Sequence, residues 1–245
     1  MERHITHDRE IREPLFDFLE EYYGRIRILQ EKMMGRSRAD IVMVLPESLC
    51  GIEIKSDADT YRRLAGQVRD YDQYYDYNIV AAGASHAMHI REHVPEYWGI
   101  ITVEYTETGW DFYFFRRPAK NPKRNLRKKM EILWRPELAL IQQKHALPKY
   151  KDKSRDFVTR KILERVPEAI SEAELSREIS SILFERDYTT VKETLAEYRR
   201  GEIERQLEAE TDPERRLELM MKQETFRQNR PHPARRRRRT RRRRL

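Results

Sequence analysis

Two apolar rhythms run along the first half of the chain, and the second half carries mainly one of them. THDREIREPLFDFLEEYYG places Asp8, Ile11, Leu15, Phe18 and Tyr22 at helical spacing and ends on Gly24, a natural helix terminus, with Pro14 interrupting it. RIRILQ (25–30), ADIVMVL (39–45) and LCGIEIK (49–55) are dense in Ile, Val and Leu and read as strands, the last two separated by the turn-like PES. A helix over about 60–75 follows, then YNIVAAG (77–83) as a short buried strand and a helical stretch over 86–94. GIITVEY (99–105) and WDFYFFR (110–116) form a hairpin across TETG. The order α-β-β-β-α-β predicts a mixed α/β domain over residues 1–118.

After that the pattern changes. PAKNPKRNLRKK is polar and basic, predicting a linker over 119–135, and the rest reads as a helical region over 136–227. Pro136 suits the first position of a helix, and Ser171 with Glu174 forms a capping-box pattern that opens a helix through Leu183, stapled by Ile170 and Leu175. The segments 190–209 and 213–227 are so charged that they read as exposed helices or as partly ordered chain.

Composition locates the charge. The net charge is +8, yet nine of the ten residues at 235–244 (RRRRRTRRRR) are Arg, so the remainder carries −1 and the basicity belongs to a disordered tail over 228–245. Such a tail favours polyphosphate partners by counterion release, without sequence preference. A single cysteine, Cys50, excludes a disulfide framework and reads as a small buried hydrophobe. A polar N-terminus and the lack of any apolar run near ~18 residues make this read as a cytoplasmic protein with no membrane contact.

GIEIKSDADT poses the chemical question, because Glu53 and Lys55 stand on one face of an otherwise apolar strand. If strands 39–45 and 49–55 pair antiparallel around Pro46 and Glu47, Asp40 falls directly opposite Glu53, while Ile41, Met43, Ile52 and Ile54 point to the other face. Facing carboxylates repel unless a cation joins them, and hard Mg²⁺ (or Mn²⁺) is commonly held by one or two carboxylates plus phosphate and water. The Ile54 backbone carbonyl is a further oxygen in reach, and Lys55 is placed to orient water and to offset charge building on phosphorus. On the next helix Gln67 and Tyr71 share a face, a pair suited to holding a phosphate or base. The plain alternatives are a surface ion pair for Glu53 and Lys55, ordinary packing for Gln67 and Tyr71, and capping roles for Asp59 and Thr60. The histidines show no ligand spacing, and FYFF (112–115) fits core packing.

Asp40, then Glu53-Ile54-Lys55, then Gln67 and Tyr71 on a helix resemble the PD-(D/E)XK nuclease superfamily, and the QxxxY element is similar to its RecB-like branch. The longer pattern DREIR, RADIVMV, GIEIKSDADT, PEYWGI and ILWRPEL resembles a bacterial and phage family assigned to that superfamily. The resemblance implies a restriction-endonuclease-like α/β core, phosphodiester hydrolysis of DNA with Mg²⁺ or Mn²⁺, Asp40 and Glu53 as metal ligands, and Lys55 as the catalytic lysine. Many members carry a further acidic ligand on the first helix, for which Asp8, Glu10, Glu13 and Glu20 compete; Asp8 also reads as that helix's N-cap. Ala39 stands where the superfamily name has Pro. Two other functions fit the same sequence: a non-catalytic nucleic-acid-binding protein that retains the fold, and an adaptor whose charged C-terminal helices bind a protein partner.

Overall fold

The computed structural model describes residues 5–150 and 153–187, together with 207, 212–213, 215–217 and 220–221. The chain divides into two units, Met1–Arg186 and Asp187–Leu245, and the first carries all that follows. The arginine tail over 228–245 and nearly all of the charged segments before it lie outside the described residues.

Helix α1 (Asp8–Tyr23) precedes strands β1 (Arg27–Met34), β2 (Ser37–Val44) and β3 (Leu49–Lys55). A 3₁₀ turn at Tyr61–Arg63 leads into α2 (Leu64–Tyr74), which is followed by β4 (Tyr77–Gly83), β5 (Gly99–Thr106) and β6 (Gly109–Arg116). The αβββαβ order is therefore present, extended by the hairpin β5–β6. The six strands form one mixed sheet in sequence order, parallel where β4 meets β3 and β5 and antiparallel elsewhere. Four helices complete the unit: α3 (Leu126–Met130), α4 (Arg135–Lys144), α5 (Arg155–Leu163) and α6 (Glu172–Glu185). Among the described residues no helix is long and apolar enough to cross a membrane.

Both faces of the sheet are covered, which explains why β3 is buried along its whole length. Ile11, Leu15 and Leu19 of α1 pack on Ile41, Met43, Ile52, Ile54, Ile79 and Ala81. On the other face α2 and the C-terminal helices bury Val42, Val44, Leu49, Val80 and Ala82 beneath Tyr71, Tyr75, Trp98, Leu133, Leu138 and Ile179. Gly51 makes the close approach of α2 feasible: a methyl group there would lie 2.7 Å from Tyr71 Cδ1 and closer still to the Tyr75 ring.

The β2–β3 hairpin turns at Pro46 and Glu47, with Leu45 N–H donating to the Ser48 carbonyl at 2.9 Å, and Ile41 faces Ile52 as the sequence register requires. The ladder stops there, one pair short of Asp40 and Glu53. Asp40 is instead a kink. Ala39 and Ile41, both odd-numbered, lie in opposite cores, so the in-out alternation of β2 changes phase at Asp40. Its partner position in β1 is Glu31, which takes a φ of 55°.

Residues 119–135, expected as a linker, are packed into the body. Asn121 is buried, donating to the Asp72 and Tyr75 carbonyls at 2.9 and 2.8 Å, and Lys129 in α3 has no exposed surface. Lys129 Nζ donates to Asp76 Oδ2 (2.5 Å), the Ser176 carbonyl and hydroxyl (both 2.8 Å) and Ser180 Oγ (2.9 Å), joining the start of β4 to α6. Composition cannot reveal a lysine supplied with four acceptors. Of the capping box expected at Ser171, the N-cap half is present, Ser171 Oγ accepting from Glu174 N–H at 3.2 Å.

Two substitutions test this packing. Gly51→Ala is expected to destabilise the protein by roughly 1–3 kcal/mol through overpacking against Tyr71 and Tyr75, measured by urea denaturation. Lys129→Met is expected to cost more, about 3–5 kcal/mol, because it strips a buried partner from Asp76.

Candidate functional site

Glu53 and Lys55 sit at the C-terminal end of β3 on the face that α2 covers, and α2 presents Gln67 and Tyr71 one turn apart above them. The Tyr71 ring is wedged against Tyr75 and Trp98, centroids 5.4 and 5.5 Å away, so its hydroxyl position is fixed by the core. Burial, then the charge of Glu53, pushes the phenol well above its ordinary pKa, so it stays protonated and donates to Glu53 Oε2 at 2.8 Å. The Tyr71 hydroxyl oxygen in turn accepts from the Asp40 N–H at 3.2 Å. The other Glu53 oxygen accepts from Lys55 Nζ at 2.8 Å and from the Gln67 amide, whose carbonyl in turn accepts from Lys55 at 3.2 Å. Glu53 and Lys55 are only 1% and 2% exposed. The five residues Asp40, Glu53, Lys55, Gln67 and Tyr71 thus meet in one hydrogen-bonded network.

Asp40 enters the network from the neighbouring strand. Its Oδ2 accepts from the Ile54 N–H at 2.9 Å, and Oδ1 accepts from Arg12 Nη2 at 3.3 Å. Burial, with Glu53 next in weight, pushes its carboxyl up to about 7 against the pull of Ile54 and Arg12. A strand residue aims its N–H and carbonyl at the same flank, so the Ile54 carbonyl faces the side from which Asp40 approaches. Two carboxylates and a peptide carbonyl converging at a strand end are an oxygen donor set suited to a hard divalent cation.

Asp8 lines the same cleft; Glu10, Glu13 and Glu20 do not. It is the first residue of α1 and not its cap, which is His7, whose N–H donates to Glu10 Oε2 at 2.9 Å. Asp8 instead pairs with Arg12 at 2.7 Å. Arg12 also reaches Glu31 at 2.9 Å, and Arg38 closes on Glu31 at 2.6 Å. Sequence reasoning missed Arg12 and Glu31 as site residues. The i,i+4 spacing of Asp8 and Arg12 was visible, but nothing in QEKMM announces that Glu31 adopts a positive φ.

Asp59 and Thr60 do not cap the following helix through their side chains. Asp59 closes the turn after β3, accepting from Ser56 N–H and Oγ at 2.9 and 2.6 Å, and Thr60 makes no capping hydrogen bond. Asp57 ties the ends of β3 and β4 to the N-terminal segment, accepting from Thr6 Oγ1 and Ser85 N–H, both at 2.8 Å. Burial pushes its carboxyl up, and the hydrogen bonds from Ser85 and Thr6 together outweigh that, bringing it to about 2.

The network opens into a cleft of about 790 Å³ rimmed by Arg36 and Arg38 from the β1–β2 hairpin, by Arg62 and Arg63 from the 3₁₀ turn before α2, and by Arg69 of α2. Cationic walls around an acidic floor attract a polyanion and a metal ion at once. A second group of possible ligands, His145, Glu174 and Glu178, lies across α4 and α6 with one ligand atom from each within 4.8 Å of the others. Sequence spacing could not show it, because its members come from two helices. There Glu178 is already paired with Lys144 and with His145, the latter at 2.8 Å.

Curated proteins and solved structures yield no match to the chain. A family model described as bacteriophage P4 protein cII matches residues 2–208, which takes in every residue of the cleft and all six strands. By that match the chain belongs to the bacteriophage P4 cII protein family.

Proposed function

We propose that this protein is a divalent-metal-dependent nuclease of the PD-(D/E)XK type, acting on DNA. The observation that carries the reading is the convergence of Asp40, Glu53, Lys55, Gln67 and Tyr71 on one strand end beneath an arginine-rimmed cleft. Asp40, Glu53 and the Ile54 carbonyl would hold Mg²⁺ or Mn²⁺, with Asp8 in reach of the same cleft. When bound, that ion supplies Lewis acidity at a phosphoryl oxygen and lowers the pKa of water. The chain supplies the rest. Lys55, held by Glu53 and Gln67, presents a positive charge where an attacking water gathers and where negative charge builds on phosphorus. Tyr71 and Gln67 fix the Glu53 carboxylate in one orientation, and the rim arginines align the phosphate backbone. The Arg-rich tail serves as a non-specific tether to phosphates.

One observation favours a second reading, a nucleic-acid-binding module without catalysis: Glu53 and Lys55 are almost wholly buried and satisfied by each other. Incubating the protein with labelled single- and double-stranded DNA and RNA, in Mg²⁺, Mn²⁺ or EDTA, separates the two. The nuclease reading expects metal-dependent cutting that falls by about 10²-fold or more in Lys55→Ala, with the fold checked by circular dichroism. Binding without cutting in any metal supports the module. Cutting that survives Lys55→Ala or Glu53→Gln places the activity elsewhere.

Asp40 also generates a pH dependence. A carboxyl raised from 3.8 to about 7 in the folded state binds protons that the unfolded chain releases, so stability is full below about pH 4 and lost as pH rises through 7. In EDTA the melting temperature is expected to fall between pH 5 and 8 by an amount equivalent to roughly 2–4 kcal/mol. Asp40→Asn is expected to flatten that slope, and Mn²⁺ to restore wild-type stability at pH 8. A slope unchanged in Asp40→Asn would contradict the assignment.

A further inference from the structure

Arg12 occupies an unusual position for a cleft arginine, because it faces inward. Its Nη2 lies 2.7 Å from Asp8, 2.9 Å from Glu31 and 3.3 Å from Asp40. Its Nε donates to Asp8 Oδ1 at 3.1 Å and its Nη1 to the Asp40 carbonyl at 3.3 Å. Three carboxylates from α1, β1 and β2 therefore share one guanidinium whose side chain is 11% exposed. The backbone is bent to allow it: Glu31, a non-glycine residue inside a strand, takes a φ of 55°, and β1 and β2 change phase at Glu31 and Asp40. Strain of that kind persists only where the surroundings enforce it, and it gathers at functional sites.

A guanidinium keeps its charge at every usable pH. The counter-charge on Asp40 thus cannot be titrated away; it is removed only by a competing cation at the carboxylates or by a competing anion at Arg12. The cleft offers the second route, since a phosphate drawn in by Arg36, Arg38, Arg62, Arg63 and Arg69 arrives beside Arg12.

From this geometry we infer that Arg12 is a built-in counter-cation, which competes with the divalent ion for Asp40 and yields it when substrate phosphate enters the cleft. The inference rests on the metal-dependent reading of the site and adds its regulation. Free protein holds metal weakly, because Arg12 already neutralises the acids. Nucleic acid draws Arg12 off and tightens metal binding, so an ion is retained where there is a strand to cut. Arg12 is a positioning residue in this scheme: it acts through Asp40.

The test is Mn²⁺ binding by calorimetry to the full chain without nucleic acid, comparing wild type, Arg12→Met and Arg12→Lys, with folding checked by circular dichroism. Competition expects Arg12→Met to bind Mn²⁺ about tenfold or more tightly, since a full charge is removed from contact with the acids, and Arg12→Lys to stay near wild type. A purely structural arginine gives the opposite sign, with folded Arg12→Met binding no better than wild type, and that result overturns the inference alone. No Mn²⁺ binding by any of the three proteins removes the metal-dependent reading itself. A measurement on wild type covers the case in which Arg12→Met does not fold. In ¹⁵N-arginine NMR, assigned with Arg12→Lys, the Arg12 Nε–H signal is expected to shift on Mg²⁺ saturation, and a signal unmoved at saturating Mg²⁺ overturns the competition.

Discussion

A carboxylate with almost no surface exposed must have its charge answered inside the protein, and Glu53 is the group around which this unit is organised. Leaving such a charge unanswered costs several kcal/mol, so its donors have to arrive reliably from separate elements. Lys55 comes from the same strand face, Gln67 and Tyr71 from α2. For α2 to lie low enough, β3 must carry Gly51 under the Tyr71 and Tyr75 rings, and the Tyr71 ring must be held by Trp98. The mixed sheet covered on both faces, the aromatic layer and the short approach of α2 all follow from placing these donors.

Asp40 presents the complementary problem. It lies beside Glu53 with fewer donors of its own, and burial and that neighbour raise its carboxyl toward neutrality. The strand answers by breaking its ladder: the Asp40 N–H turns to Tyr71 and its carbonyl to Arg12, and Glu31 pays with an unfavourable φ. An arrangement that holds two acids in proximity at the expense of strand regularity is hard to explain by stability alone, and it is the physical ground for reading the site as one that handles a cation and a phosphate.

Much of this was legible in the sequence because period and turn chemistry suffice for it. The bounds of β3 and β4 coincide with the apolar runs 49–55 and 77–83, and the Pro46–Glu47 turn sets the register that brings Ile41 opposite Ile52. That register and the i,i+4 spacing of Gln67 and Tyr71 put five candidate residues within one network. What stayed hidden depends on tertiary context. A strand that changes phase at Asp40 still reads as a regular alternation, and Glu31 gives no sign of its φ. Lys129 reads as solvent-facing until α6 supplies Ser176 and Ser180. Asp8 reads as a cap until His7 is seen in that position.

The most direct test of the central claim is to locate the ion. In crystals of the protein grown with Mn²⁺, anomalous scattering is expected to place a manganese between the Asp40 and Glu53 carboxylates, within about 2.0–2.6 Å of an oxygen of each, as hard oxygen-bound cations require. Manganese only at His145, Glu174 and Glu178, or none in the cleft at saturating concentration, would contradict the account.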